Sequence, residues 1–189
     1  MSGLTIRAAT AEDAPAIAAI YAPIVQNTAI SFETEPPSEA EIARRITAVQ
    51  AVYPWLVSLG SAGEVTGYAY ATRFRERAAY RWCCESTAYV AETARGQGVG
   101  RGLYKALFEL LRRQGFLSVV GVITLPNTAS VALHEAMGFE PVGVYRNAGF
   151  KFGAWHDVGW WECDLAEVVP DPKAPLPLTS LGYGRDGEL

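Results

Sequence analysis

Little in this sequence offers a metal or a disulfide. Two histidines and three cysteines occur in 189 residues. Cys83, Cys84 and Cys163 neither make a disulfide framework nor form a Cys-x-x-Cys pair. His134 and His156 stand apart from any carboxylate cluster at ligand spacing, so no metal site is expected. Unpaired cysteines suit a reducing compartment, and the cytoplasm is the expected home. Positive charge is also in deficit, with 16 Lys and Arg against 20 Asp and Glu and a formal charge of −4. No general nucleic-acid binding is expected from that balance, which lacks a basic face. No apolar run is long enough to span a bilayer, so no membrane partner is expected. The N-terminus opens straight into Leu4-Thr5-Ile6-Arg7 without a charged-then-apolar leader, and secretion is not expected either.

What is present is an ordinary core composition, 50% apolar and 19% charged, enough for one domain. The first half reads strand, helix, helix, strand, strand. Thr10 with Asp13 and Ser38 with Glu41 are capping boxes that open two helices, the first carrying Ile17, Ile20, Tyr21 and Ile24 at helical spacing. Trp55–Leu59 and Val65–Ala71 flank Gly60-Ser61-Ala62-Gly63 as a hairpin. Cys83–Val90 reads as a strand, followed by a glycine-rich turn and a helix with Leu103, Leu107, Leu110 and Leu111 on one face, ending at Gly115. Leu117–Ile123 has the β-branched run of a buried strand, and a short helix follows Asn127 to about Met137. Two last strands, Phe139–Tyr145 and His156–Leu165, bracket Asn147–Trp155. Residues 1–168 form the expected domain, and 169–189 a tail rich in proline and glycine, either extended over the surface or loose.

The turn Arg95-Gly96-Gln97-Gly98-Val99-Gly100-Arg101 lies between a strand and a helix. Alternating glycines let backbone N–H groups converge, and the helix N-terminus adds its dipole, so the segment suits a phosphate. One glycine would be explained by a tight turn alone; three between two arginines favour the anion. A P-loop needs Lys-Ser or Lys-Thr after its last glycine, where Arg101-Gly102 stands. A dinucleotide fingerprint needs glycine where Leu103 stands, and an acidic residue about 20 positions on, where Gly121–Leu125 runs. Both nucleotide readings fail on spacing.

Arg95-Gly96-Gln97-Gly98-Val99-Gly100 resembles the pyrophosphate loop of the Gcn5-related N-acetyltransferases (GNAT), and His134-Glu135-Ala136-Met137-Gly138-Phe139 resembles their downstream Tyr-Glu-x-x-Gly-Phe block. Further strings are similar to the phosphinothricin and methionine sulfoximine N-acetyltransferases: Thr34-Glu35-Pro36, Glu85-Ser86-Thr87, Gln114-Gly115-Phe116, Leu125-Pro126-Asn127, Leu133-His134-Glu135-Ala136 and Trp155-His156-Asp157-Val158-Gly159. The likeness runs roughly from Leu4 to Pro170. It implies an α/β fold, a single GNAT domain with a mixed central sheet flanked by helices and strands splayed around acetyl-CoA. It also implies an enzyme, an acetyl-CoA-dependent N-acetyltransferase.

An amine must reach the thioester uncharged, so a base is needed. The resemblance assigns that role to Glu85, which is otherwise a solvated carboxylate at a strand end. The family's usual tyrosine is replaced here by His134, a candidate donor to the departing thiolate and equally a neutral packing histidine. The resemblance places backbone groups of Ala88, Tyr89 and Val90 along the pantetheine arm, the segment Arg95, Gly96, Gln97, Gly98, Val99, Gly100 and Arg101 on the pyrophosphate, and Asn127 and Ser130 on the cofactor. Asn127 is otherwise a helix cap.

For the acceptor, Phe32 and Glu33 lie in the loop between the first two helices, Glu33 where the family more often has a basic residue. Arg73, Arg75 and Arg77 precede the Glu85 strand; most of them read as a solvated basic loop, and one in the pocket would suffice for a bidentate carboxylate clamp. Tyr80, Trp82, Lys151 and Trp155 suit a pocket lining, the aromatics equally core packing. Cys83 and Cys84 read as strand packing. The expected acceptor is the α-amino group of a small glutamate-like amino acid, with direct attack in a ternary complex and, as the resemblance implies, a homodimer. Two alternatives are the same chemistry on another primary amine, a polyamine or peptide N-terminus, and a non-catalytic acyl-CoA sensor.

Overall fold

A computed structural model of the protein describes residues 4–182. In chain order it contains β1 (Thr5–Ala8), α1 (Ala14–Asn27), α2 (Glu39–Gln50), β2 (Trp55–Leu59), β3 (Val65–Arg73), β4 (Cys83–Val90), α3 (Val99–Gln114), β5 (Ser118–Leu125), α4 (Thr128–Ala136), β6 (Glu140–Lys151) and β7 (Ala154–Asp164). The strands form one seven-stranded sheet in the order β1-β2-β3-β4-β5-β7-β6. Every neighbouring pair is antiparallel except β4 with β5, the one parallel pair. This is the α/β architecture anticipated from the resemblance.

Helix starts follow from local chemistry. The Ser38 hydroxyl accepts from the Glu41 N–H at 3.2 Å and opens α2. The Asp13 carboxylate accepts from the Thr10 N–H at 2.7 Å and from both terminal nitrogens of Arg7, each at 2.7 Å, tying the entry of α1 to β1. On one sheet face α3 buries Leu103, Leu107, Leu110 and Leu111 completely. Each such side chain is worth about 1.5–3 kcal/mol of transfer free energy, so this helix dominates that core. Gly115, at φ +93°, accepts the left-handed turn that ends α3. On the other face α1 and α2 set Ile17, Ile24, Ile42 and Ile46 against Trp55, Val57 and Tyr68.

Two readings of the sequence need correction or completion. The segment after Tyr145 is not a loop between two strands: β6 runs on to Lys151, and the reversal is the tight turn at Phe152 (φ +51°) and Gly153 (φ +75°). The pairing slips between Tyr145 and Gly149, where Asn147 (φ +50°) sits in a bulge and donates its N–H to Asp157 Oδ1 at 2.8 Å. The tail is laid along the surface as far as Gly182; its remainder lies outside the described residues. Leu176 N–H donates to Gln114 O at 2.8 Å, Leu178 N–H to Val52 O at 2.9 Å, and the Leu178 side chain is buried.

Candidate functional site

The site follows from where two strands part. β4 and β5 are paired only from Cys83–Ser86 against Ser118–Gly121. Beyond Ser86, the β4 edge that faced β5 has no strand beside it among the described residues, while its other edge stays paired to β3 as far as Val90 against Gly67. The backbone of Thr87–Val90 is therefore a free extended edge, which an extended ligand arm can pair with as an added strand.

At the end of that edge lies the glycine-rich turn. Gly96 (φ +75°) and Gly98 (φ +83°) take left-handed conformations, and a methyl added at either would meet nothing within 4 Å. Gly102 N–H donates to Gly98 O at 2.9 Å, so α3 begins at the turn and aims its first N–H groups into it. Gly100 is glycine for closeness: a methyl there would meet Leu133 Cδ2 at 2.8 Å. Arg95 and Arg101 are exposed on either side, and the Gln97 amide donates to Thr93 O at 2.9 Å. Left-handed turn, helix N-terminus and flanking guanidinium groups together fit a pyrophosphate. Asn127 Oδ1 accepts from the Ser130 N–H at 3.2 Å and caps α4, which leaves its amide NH2 for another partner.

Glu85 stands in the last paired stretch before the strands part, opposite Thr72 of β3 and Val120 of β5. Burial raises its carboxyl above the ordinary range, and the nearby Arg75 charge offsets part of that rise. A carboxylate with a raised pKa is a better proton acceptor than an exposed one. Its face of the sheet opens into a cavity of about 620 Å³ lined by Phe74, Arg75, Tyr80, Cys83, Val120, Trp160 and Glu162, together with Val142–Tyr145 of β6. Arg75 lies over the Phe74 ring at 4.3 Å and the Trp160 ring at 5.1 Å.

His134 lies on the opposite face and is buried. Nδ1 lies 2.7 Å from Ser130 O, and Nε2 lies 2.9 Å from the Tyr104 hydroxyl. A backbone carbonyl can only accept, so Nδ1 carries the proton and Nε2 accepts from Tyr104. Burial lowers the pKa of the ring, with the Ser130 bond opposing, which keeps it neutral.

Of the residues expected at the acceptor, Arg75 and Tyr80 line the cavity. The others sit elsewhere. Arg73 pairs with Glu76 at 2.8 Å and lines a separate depression against Ala174–Leu176. Glu33 is held by Arg45 at 2.8 Å and accepts from the Tyr21 hydroxyl at 3.2 Å. Lys151 is buried, with Nζ donating to Val25 O and Ser31 O at 2.7 Å each. Phe32 packs over Gly149, and Trp82 donates its indole N–H to Lys173 O at 2.8 Å. Trp155 is exposed against Phe150. Sequence reasoning missed Phe74, Trp160 and Glu162. The alternation of Val158, Trp160 and Glu162 along β7 was the available signal, since alternate residues share a face.

Among the described residues no group of His, Cys, Asp and Glu is arranged to hold a metal ion, and no helix is long and apolar enough to cross a membrane.

Residues 6–160 match the acetyltransferase (GNAT) domain family. The phosphinothricin N-acetyltransferase of Streptomyces viridochromogenes is 42% identical over 93% of this chain and 95% of its own. The L-methionine sulfoximine/L-methionine sulfone acetyltransferase of Pseudomonas aeruginosa is 37% identical over 92% of this chain and 98% of its own. The crystal structure of a GNAT superfamily phosphinothricin acetyltransferase from Sinorhizobium meliloti, in complex with acetyl-CoA, superposes with a TM-score of 0.86 at 38% identity, covering 92% of this chain and 95% of that one. With its splayed strands, left-handed glycine turn and full-length relatives, the chain belongs to the GNAT acetyltransferase family.

Proposed function

We propose that this protein transfers the acetyl group of acetyl-CoA to the α-amino group of a small glutamate-like amino acid, of the phosphinothricin or methionine sulfoximine type, by direct attack in a ternary complex. The observation that carries the reading is the position of Glu85. It stands where β4 and β5 part, with the glycine turn at the far end of its strand and a cavity on its own face.

When bound, acetyl-CoA supplies a thioester carbonyl already activated for acyl transfer. The free edge of Ala88, Tyr89 and Val90 holds the pantetheine arm, and residues 95–101 hold the pyrophosphate, with Asn127 and Ser130 beside the arm. Glu85 takes the proton from the acceptor ammonium, directly or through one water. Arg75 holds the acceptor carboxylate, and Tyr80 forms a wall. His134 has no free N–H, because Nδ1–H is bound to Ser130 and Nε2 accepts from Tyr104. Its proposed part is to hold α4 under the parting strands. Phe32, Glu33 and Lys151 do not line this cavity; their proposed part is to brace the loop between α1 and α2 through the contacts described above.

Two further readings belong with this one. The exposed apolar side chains of the β6–β7 hairpin, Val142, Val144, Tyr145, Phe150, Phe152 and Trp155, support a homodimer that covers them. Light scattering at micromolar protein should return twice the chain mass, and a monomer would refute the dimer. The unpaired thiols of Cys83, Cys84 and Cys163 support residence in the reducing cytoplasm.

The test is thiol release from acetyl-CoA with phosphinothricin, methionine sulfoximine, glutamate, spermidine and a short peptide as acceptors. Turnover of the first two and little of the last two supports the proposal. Turnover of spermidine or the peptide alone would leave the family standing and overturn the acceptor.

A further inference from the structure

The cavity beside Glu85 has an uneven charge lining. Glu85, Val120 and Glu162 lie in register on three successive strands, β4, β5 and β7. Strand spacing puts the two carboxylate-bearing positions about 10 Å apart on one sheet face. Among the lining residues Arg75 is the single cation and Glu162 the single anion; the rest are uncharged, with Phe74, Tyr80, Tyr145 and Trp160 supplying an aromatic lining. Glu140 stands directly across from Glu162 on β6, and Asp164 follows two places along β7, both lining an adjoining depression with Glu162. The β7 wall around Glu162 is therefore negative, and Arg75 lies over the Phe74 ring and the Trp160 ring, the latter two places before Glu162 on the same face of β7.

An α-amino acid brings its ammonium and carboxylate on one carbon. With the nitrogen at Glu85, the adjacent carboxylate falls to Arg75, for which no carboxylate partner within ion-pair distance exists among the described residues. The side chain then points along the aromatic lining toward Glu162. A second negative charge there finds Arg75 already paired with the α-carboxylate and is repelled by Glu162. We propose that Glu162 selects against acceptors with an anionic side chain, so that among glutamate-like amino acids the enzyme prefers those with a neutral polar side chain. This rests on the acetyl transfer proposed above.

The experiment compares kcat/KM for methionine sulfone, phosphinothricin, glutamate and spermidine in the wild type and in Glu162→Gln, at low and high salt. The expected ratio of methionine sulfone to phosphinothricin is about tenfold or more in the wild type. It should narrow several-fold in the variant and, independently of any substitution, shrink as salt screens the wall. Phosphinothricin used as well as the sulfone, or a ratio indifferent to both the substitution and salt, overturns the role of Glu162 while leaving acetyl transfer intact. Spermidine outpacing both amino acids overturns it too, since that acceptor has no carboxylate for Arg75. Silence with all four acceptors removes the parent reading, and this one with it.

Discussion

Gly121 of β5 lies directly against the ring of His134: a methyl at Gly121 would meet ring Cδ2 at 2.5 Å and Nε2 at 2.7 Å. The ring cannot swing aside without breaking its bonds to Ser130 and Tyr104. Gly121→Ala should therefore destabilise the fold by about 1–3 kcal/mol, the usual cost of overpacking a fixed interior. Urea unfolding measures this directly. Under the positioning role proposed for His134, His134→Ala should lower the melting temperature along with kcat. A fall in kcat at an unchanged melting temperature would return the imidazole to the chemistry.

Glu85→Gln should lower kcat about tenfold or more, the lower range for loss of a general base, with little change in acetyl-CoA affinity. The sign of the pH effect follows from the raised carboxyl. The base form appears only above that pKa, so kcat/KM should rise with pH through a value above the ordinary carboxylate range, and the variant should lose that limb. Stability runs the other way. A carboxyl whose folded pKa is raised favours folding at low pH and loses that contribution as pH climbs through the folded value. Glu85→Gln should accordingly be at least as stable as the wild type at neutral pH. An unchanged kcat and pH profile would remove Glu85 from the mechanism.

Much of this was legible because the sequence expresses it locally. The four leucines of α3 repeat at helical spacing, and the strand read as Cys83–Val90 has the bounds that β4 shows. What stayed hidden depends on partners far away in the chain. Lys151 reads in the sequence as a lining residue of the acceptor pocket, yet its ammonium is buried because Val25 and Ser31 offer two carbonyls across the fold. Asn147 and Gly149 look like loop residues, and only the bulge bonded to Asp157 shows the strand continuing through them. Alternation along β7 puts Glu162 on one face with Trp160, but that this face meets a cavity is decided by the register of β7 against β5.

Gly98 offers a clean test of the anion site, since its φ of +83° and the open space around it can be separated from charge. Asn and Asp both tolerate left-handed backbone better than other non-glycine residues, and they have the same shape. Gly98→Asn should weaken acetyl-CoA binding modestly. Gly98→Asp should weaken it about tenfold more, because only the second sets a negative charge against the pyrophosphate. Calorimetric titration of acetyl-CoA into both variants gives the comparison. Equal affinities would mean that the turn does not hold the anion.

The tail should matter to the acceptor and not to acetyl-CoA. The Gln114 amide donates to Val52 O at 2.7 Å and Leu176 O at 2.8 Å, so one buried side chain clamps the tail to the segment that leads into β2. The Leu178 side chain is buried and its N–H donates to the same Val52 carbonyl, and Lys173 O receives the Trp82 indole N–H. Trp82 directly precedes β4, and the Arg75 segment lies against Ala174–Leu176 in the neighbouring depression. Leu178→Ala should cost about 2 kcal/mol, the low end for a buried leucine because the strap can partly collapse. Loosening the strap should then raise KM for the amino-acid acceptor several-fold, with KM for acetyl-CoA within about twofold, because the glycine turn lies at the opposite end of α3. A change in the acetyl-CoA constant equal to that in the acceptor constant would show that the strap stabilises the domain as a whole rather than the loop that carries Arg75.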